Sequence, residues 1–218
     1  MTQGADSHLR NASISQRGRG AVDRIMDATA ALLEARGYEA LTTNHIAEAA
    51  GINIATLYKY FANKQAILMA LHARLSRRWT EALTRLVDQI RNGAPWREIV
   101  CQIIDVAADR RRGATGAAAI RIAMRVSPEL QSHDRNESIA SARIVADLLV
   151  ARAGVDAVTA LRVARVAIEV GMAVLDLWLQ EGTVDDDAWV GEAKSAVCNY
   201  LAPYFETRAE PGRAGIEK

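Results

Sequence analysis

Apolar residues recur at steps of three and four along nearly the whole chain, and nowhere does a run alternate as a half-buried strand does. The first such stripe is Val22, Ile25, Met26, Thr29, Leu32 and Leu33, closed by Gly37. Leu41, Ile46, Ala49 and Ala50 lead to Gly51, and Ile54, Leu57, Tyr58 and Phe61 follow, which makes two short helices joined by a glycine-containing turn. Helices of about two turns do not persist alone, so these two need each other and their neighbours. Asn63 is placed to cap the next helix, whose stripe of Ile67, Leu68, Leu71, Leu75, Trp79, Leu83, Leu86, Val87 and Ile90 lasts until Asn92, Gly93 and Pro95.

The period restarts at Trp96, Ile99, Val100, Ile103, Ile104 and Val106, and Arg110 to Gly116 reads as a loop. Ile120, Ile122, Met124 and Val126 give a shorter helix ended by Ser127 and Pro128; Ile139, Ile144, Val145, Leu148 and Leu149 mark a longer one ended by Gly154. Asp156 opens a helix to Glu181, and a last one runs from about Asp185 to Phe205. The expectation is an all-α fold of about nine helices, with a three-helix head followed by a C-terminal helical bundle.

With 50% hydrophobic and 24% charged residues, the chain has enough apolar surface to fold and is not a disordered one. A net charge of +1 does not announce nucleic-acid binding, so any such affinity must be a local arrangement. Arg10, Arg17 and Arg19 near the start face only Asp6, and with Gly18 and Gly20 beside them they suit a basic arm entering a minor groove, or equally a solvated tail. Cys101 and Cys198 lie far apart in sequence, without CxxC or Cys/His spacing, and read as reduced core residues; a structural disulfide would need an oxidising compartment. The N-terminus lacks the apolar stretch of a signal peptide, which points to the cytoplasm. Val163 to Leu179 is interrupted by Arg165, Glu169 and Asp176, so it reads as a buried helix and not a membrane span.

The two short helices carry the chemistry. Thr42 and Thr43 precede the first, where one hydroxyl caps exposed backbone N–H groups as the helix start faces a phosphate. Gly51 supplies the positive φ of the turn, Ile52 fills the gap and Asn53 caps the second helix. On that helix Leu57 points inward, while Ala55, Thr56, Lys59 and Tyr60 are expected to lie outward, toward a groove. Ala55 and Thr56 are small enough for close approach and offer methyls to thymine; Tyr58, Tyr60, Lys59 and Lys64 offer donors to phosphate oxygens.

The run TTNHIAEAAGINIATLYKYFANKQAIL resembles the DNA-binding signature of the TetR family of bacterial regulators, with its LYxYF core at Leu57, Tyr58, Lys59, Tyr60 and Phe61 followed by Asn63 and Lys64. The resemblance covers roughly 17–71. It implies a homodimer with a helix-turn-helix DNA-binding head and a divergent helical body that binds a small effector and releases the operator. It further implies phosphate contacts at Thr43, Tyr58, Tyr60 and Lys64 and base-reading positions at Asn44, Ile54, Ala55 and Thr56. Ala55 stands where the family often has Gly, and Ile54 where it often has a polar residue, which leaves the operator sequence open.

The expected organisation is a flexible basic arm (1–16), a helix-turn-helix DNA-binding domain (17–64), a ligand-binding and dimerisation domain (65–206) and a disordered tail (207–218). The helix from Asp156 is apolar on more than one face and the last helix has an aromatic edge, as a four-helix interface between two chains would require. Trp96, Met124, His133 and Trp178 are candidate pocket residues, although the same residues suit plain core; Arg110, Arg111 and Arg112 suit an acidic effector or a solvated loop. His133 and Glu137 stand four apart without a third ligand in view, so no metal and no cofactor is expected. No nucleophile with a base, catalytic carboxylate pair or phosphate loop appears, so the expected role is a DNA-binding transcriptional regulator and not an enzyme. The leading expectation is a repressor released by a small molecule; the alternative is a constitutive DNA-binding regulator or activator without an effector.

Overall fold

The computed structural model describes residues 16–113, 115–181 and 186–206, and among these all regular structure is helical, in nine helices. They are α1 (Gln16–Arg36), α2 (Thr43–Ala49), α3 (Ile54–Tyr60), α4 (Lys64–Arg91), α5 (Trp96–Gly113), α6 (Ala117–Ala123), α7 (Pro128–Ala153), α8 (Ala157–Glu181) and α9 (Asp186–Glu206). The all-α expectation holds. Apart from Gln16, the expected arm 1–16 lies outside the described residues, as does the tail 207–218.

Three boundaries differ from the sequence reading. Arg17 and Arg19 belong to α1 and not to a tail ahead of the first helix. Arg110, Arg111 and Arg112 continue α5 and do not form a loop: Arg111 is buried, Arg110 lies over the Trp79 ring and Arg112 pairs with Asp109 at 3.4 Å. Arginine is a good helix former, so a run of three continues a helix without strain. Finally, α7 begins at Pro128, whose fixed φ and missing N–H suit a first helical position, and the Ser127 hydroxyl accepts the Leu130 N–H at 3.3 Å.

The chain separates into two compact units. One runs up to Thr80 and adds Asp109–Glu137; the other comprises Glu81–Ala108 and the chain from Ser138 onward. In the first, Ile25, Leu33, Ile46, Leu57, Phe61, Ile67, Leu68 and Ile120 pack into one core with almost no exposure. This core binds the short helices to α1, α4 and α6, which is how elements too short to persist alone become fixed. Gly116, at φ +74°, precedes α6, and a Cβ built there would stand 2.7 Å from the Ala30 carbonyl oxygen of α1.

A polar knot crosses the same unit. Asp134 of α7 accepts from Arg121 of α6 at 2.7 Å and lies 3.4 Å from Nε2 of the buried His72 of α4. Burial raises the Asp134 pKa, but the His72 hydrogen bond and the charges of Arg121, His72 and Arg125 outweigh it and hold the carboxyl below its ordinary value. A lowered folded pKa contributes stability above the unfolded value, and that contribution is lost as pH falls through the folded one. Asp134→Asn should therefore destabilise the protein at neutral pH and flatten the decline of unfolding free energy below about pH 4, measured by urea melts across pH.

In the second unit α5 and α9 run antiparallel: Trp96 stacks on Phe205 with centroids 4.9 Å apart, Arg97 pairs with Glu206 and Lys194 reaches Asp105 at 2.6 Å. Gly171 of α8 sits between them, with Ile104 and Val197 each just over 3 Å from where its Cβ would be. Arg152 of α7 donates to the Ile90 carbonyl at 2.6 Å and so satisfies the C-terminal turn of α4. One face of α8 buries Ala160, Val163, Ala164, Ala167, Leu175 and Trp178. Another leaves Val158, Leu161, Val166, Val170 and Ala173 lining an open apolar surface edged by Arg162, Arg165 and Glu169. Among the described residues no helix is long and apolar enough to cross a membrane.

Candidate nucleic-acid interface

The geometry of α2 and α3 follows from their caps. The Thr42 hydroxyl accepts the His45 N–H at 3.2 Å, and the Asn53 carboxamide oxygen accepts the Ala55 N–H at 2.8 Å. Between the helices Gly51 takes φ +62°, which only glycine adopts without strain, and Ile52 leans on the core. Asn63 caps α4 through the Ala66 N–H at 2.8 Å.

The inward stripe of α3 is Leu57, Tyr60 and, just beyond the helix, Phe61. This corrects the expectation for Tyr60, which was to lie outward: it is only 8% exposed. Spacings of three and four from Leu57 bring both Tyr60 and Phe61 to the core side. Tyr58 faces out, and its hydroxyl shares a 3.0 Å hydrogen bond with that of Thr43, tying the start of α2 to the middle of α3.

The outer surface thus gathers Thr42, Asn44, Asn53, Ala55, Tyr58 and Lys59 as exposed residues, with Thr43, Ile54, Thr56 and Lys64 half-buried at its edge. Ile54 packs partly against the core, which accounts for an apolar residue at that edge. His45, not singled out from the sequence, is also exposed, with its ring nitrogen 3.2 Å from the Ala40 carbonyl. Lys64 is held in place: its ammonium donates to the Tyr38 carbonyl at 3.2 Å and sits 4.0 Å from the centroid of the Tyr38 ring. Tyr38 was invisible to spacing arguments because its partner is 26 residues away. Burial, then Glu39 and Glu129, raise its phenol pKa, so the ring stays neutral beneath the cation. The surface therefore presents small side chains at the start of a short helix, framed by a hydroxyl pair and by the ammonium groups of Lys59, over the Tyr60 ring, and Lys64. Such a set fits a groove floor and its flanking phosphates.

The candidate pocket residues fall in different units. Met124 is fully buried in the first unit's core, and His133, also of that unit, lies edge-on to His72 with ring centroids 5.3 Å apart. Trp96 and Trp178 belong to the second, where Trp96 is engaged by Phe205 and Arg97 and Trp178 is buried. Among the described residues no group of three or more His, Cys, Asp or Glu side chains is placed to hold a metal ion.

Residues 25–71 match the family model described as bacterial regulatory proteins, tetR family, and residues 95–201 match that of a tetracyclin repressor-like C-terminal domain. The chain is 40% identical over 73 residues to the HTH-type transcriptional repressor KstR of Rhodococcus jostii, a match spanning 34% of this chain and 32% of that protein. The curated relatives are thus matched over well under half of their length. Two solved structures share the fold. SmeT, the repressor of the Stenotrophomonas maltophilia multidrug efflux pump SmeDEF, has TM-score 0.67 and 20% identity, with 89% of this chain and 95% of that one covered. FadR of Bacillus subtilis in complex with stearoyl-CoA has TM-score 0.62 and 20% identity, covering 84% and 97%.

Proposed function

Because the chain belongs to the tetR family of bacterial regulatory proteins, we propose that it is a transcriptional repressor that binds operator DNA as a homodimer and leaves it when a small molecule binds. The observation that carries the DNA-binding part is the surface of α3: Ala55 and Thr56 at its start, Tyr58 locked to Thr43 beside them, and Lys59 and Lys64 flanking. Small residues admit the helix to a major groove, and the hydroxyls and ammonium groups hold the backbone without naming the sequence. A regulator acting on bacterial DNA works in the cytoplasm.

Dimerisation is supported by the open face of α8, where Val158 is 75% exposed and Val166 38%. A helix apolar on two faces leaves one to be covered, and a second copy meeting the same face forms a two-fold interface. That arrangement also supplies two recognition helices for half-sites about 34–36 Å apart. Release by a small molecule is supported by the kinship with repressors and by the stearoyl-CoA held by a protein of this fold. We propose the first unit as the DNA-binding part and the second as the part that dimerises.

Lys64→Ala tests the phosphate frame. Removing one phosphate contact should weaken binding to all duplexes alike and lower the slope of log affinity against log salt by about one per site. Fluorescence anisotropy on a random-sequence duplex at several salt concentrations reads both quantities. An unchanged slope would remove Lys64 from the interface.

A further inference from the structure

The two cysteines, distant in sequence, are neighbours in the second unit. Lys194 of α9 reaches Asp105 of α5 at 2.6 Å, and the helices run antiparallel, so one helical turn from that pair brings Cys101 level with Cys198. The Cys198 thiol lies close enough to the Cys101 thiol for the two to perturb each other, and it donates to the Arg97 carbonyl oxygen at 4.0 Å. Contacts on both sides hold this register: Trp96 on Phe205 and Arg97 on Glu206 at one end, Lys194 on Asp105 at the other. Both thiols are free, Cys101 half-buried and Cys198 buried.

We propose that Cys101 and Cys198 form a redox-responsive dithiol that a hydroperoxide converts into a disulfide within one chain, linking α5 to α9. The two thiols are not equivalent. Burial, and then the neighbouring Cys101 thiol, push the Cys198 thiol up to about 11, so it is a poor first nucleophile; its position beside Cys101, level with it across the two helices, is what suits it to resolve. The more accessible Cys101 reacts first. Its thiolate attacks one peroxide oxygen, the O–O bond breaks, and hydroxide leaves and is protonated to water, leaving a sulfenic acid two electrons more oxidised. The Cys198 sulfur then attacks the Cys101 sulfur; the S–S bond forms, the S–O bond breaks, and the departing hydroxide takes the Cys198 proton as a second water. One hydrogen peroxide and two thiols thus give one disulfide and two waters. The product fixes the separation of the two Cα atoms at about 4.4–6.8 Å, so oxidation sets the spacing of α5 and α9 at this level. This site stands apart from the DNA-binding reading.

The test treats the full-length native protein with hydrogen peroxide, then unfolds it and labels free thiols with a maleimide for intact-mass measurement. The expected product has lost both labelling sites together, is lighter by two hydrogens, runs as a single chain on a non-reducing gel and regains both sites with dithiothreitol. Cys198→Ser should stop at a sulfenic acid on Cys101 that dimedone traps. The proposal is overturned if both thiols stay labelled while an exposed peptide thiol in the same tube is consumed, if Cys101 proceeds to sulfinic acid with Cys198 still labelled, or if the disulfide joins two chains. The wild-type measurement decides the matter even if the variant does not fold.

Discussion

Gly116→Ala is expected to lower the unfolding free energy by about 3 kcal/mol or more, a large part of the roughly 5–15 kcal/mol that holds a typical domain together. Two costs add at this position. At φ +74° any side chain strains the backbone by about 1–2 kcal/mol, and the new methyl would stand 2.7 Å from the Ala30 carbonyl oxygen. The neighbour is helix backbone and cannot rotate away, so α1 and α6 must part. Gly37→Ala separates the two terms, because Gly37 has φ +71° with open space around its missing Cβ. It should lose about 1–2 kcal/mol, from backbone strain alone. Urea denaturation of both variants gives the difference, and equal losses would mean that the α1–α6 contact yields without cost.

Ala55→Glu is expected to leave the fold intact while weakening duplex binding about 100-fold, or roughly 2.7 kcal/mol. Ala55 is exposed and is the second residue of α3, where a carboxylate favours the helix dipole by about 0.3–1 kcal/mol. Facing phosphates and base edges, the same charge is repelled. Stability and DNA affinity should therefore move in opposite directions, which general misfolding cannot imitate. A variant as stable as the parent that still binds DNA at parental affinity would place the start of α3 away from the groove.

The parts of the fold legible in the sequence are those set by neighbours in the chain. Thr42, Asn53, Asn63 and Asp156 cap the helices that follow them because a short side-chain acceptor needs only the next two or three N–H groups. Gly37, Gly51, Gly93 and Gly154 sit at positive φ just after helices because no other residue does so without strain. The outward placing of Tyr60 failed because a hydroxyl suggested a donor, while its distance from Leu57 already set it on the core side. Beyond local range the pattern is silent. That Arg111 is buried, that Lys64 rests on Tyr38, and that Cys101 meets Cys198 all depend on how helices far apart in sequence are brought together. The open face of α8 was legible as an excess of apolar residues, since one helix cannot bury two sides against its own chain.

In the proposed function this chain reads duplex DNA with a pair of recognition helices, one from each of two copies. Selection of bound duplexes from a random pool, followed by native mass measurement of the selected complex, tests it most directly. The expected result is an enriched inverted repeat with half-site centres about 10 base pairs or a small multiple apart, bound by chains in even number, and lost in Ala55→Glu. A pool that shows no enrichment, or a single unrepeated site bound by one chain, would contradict it.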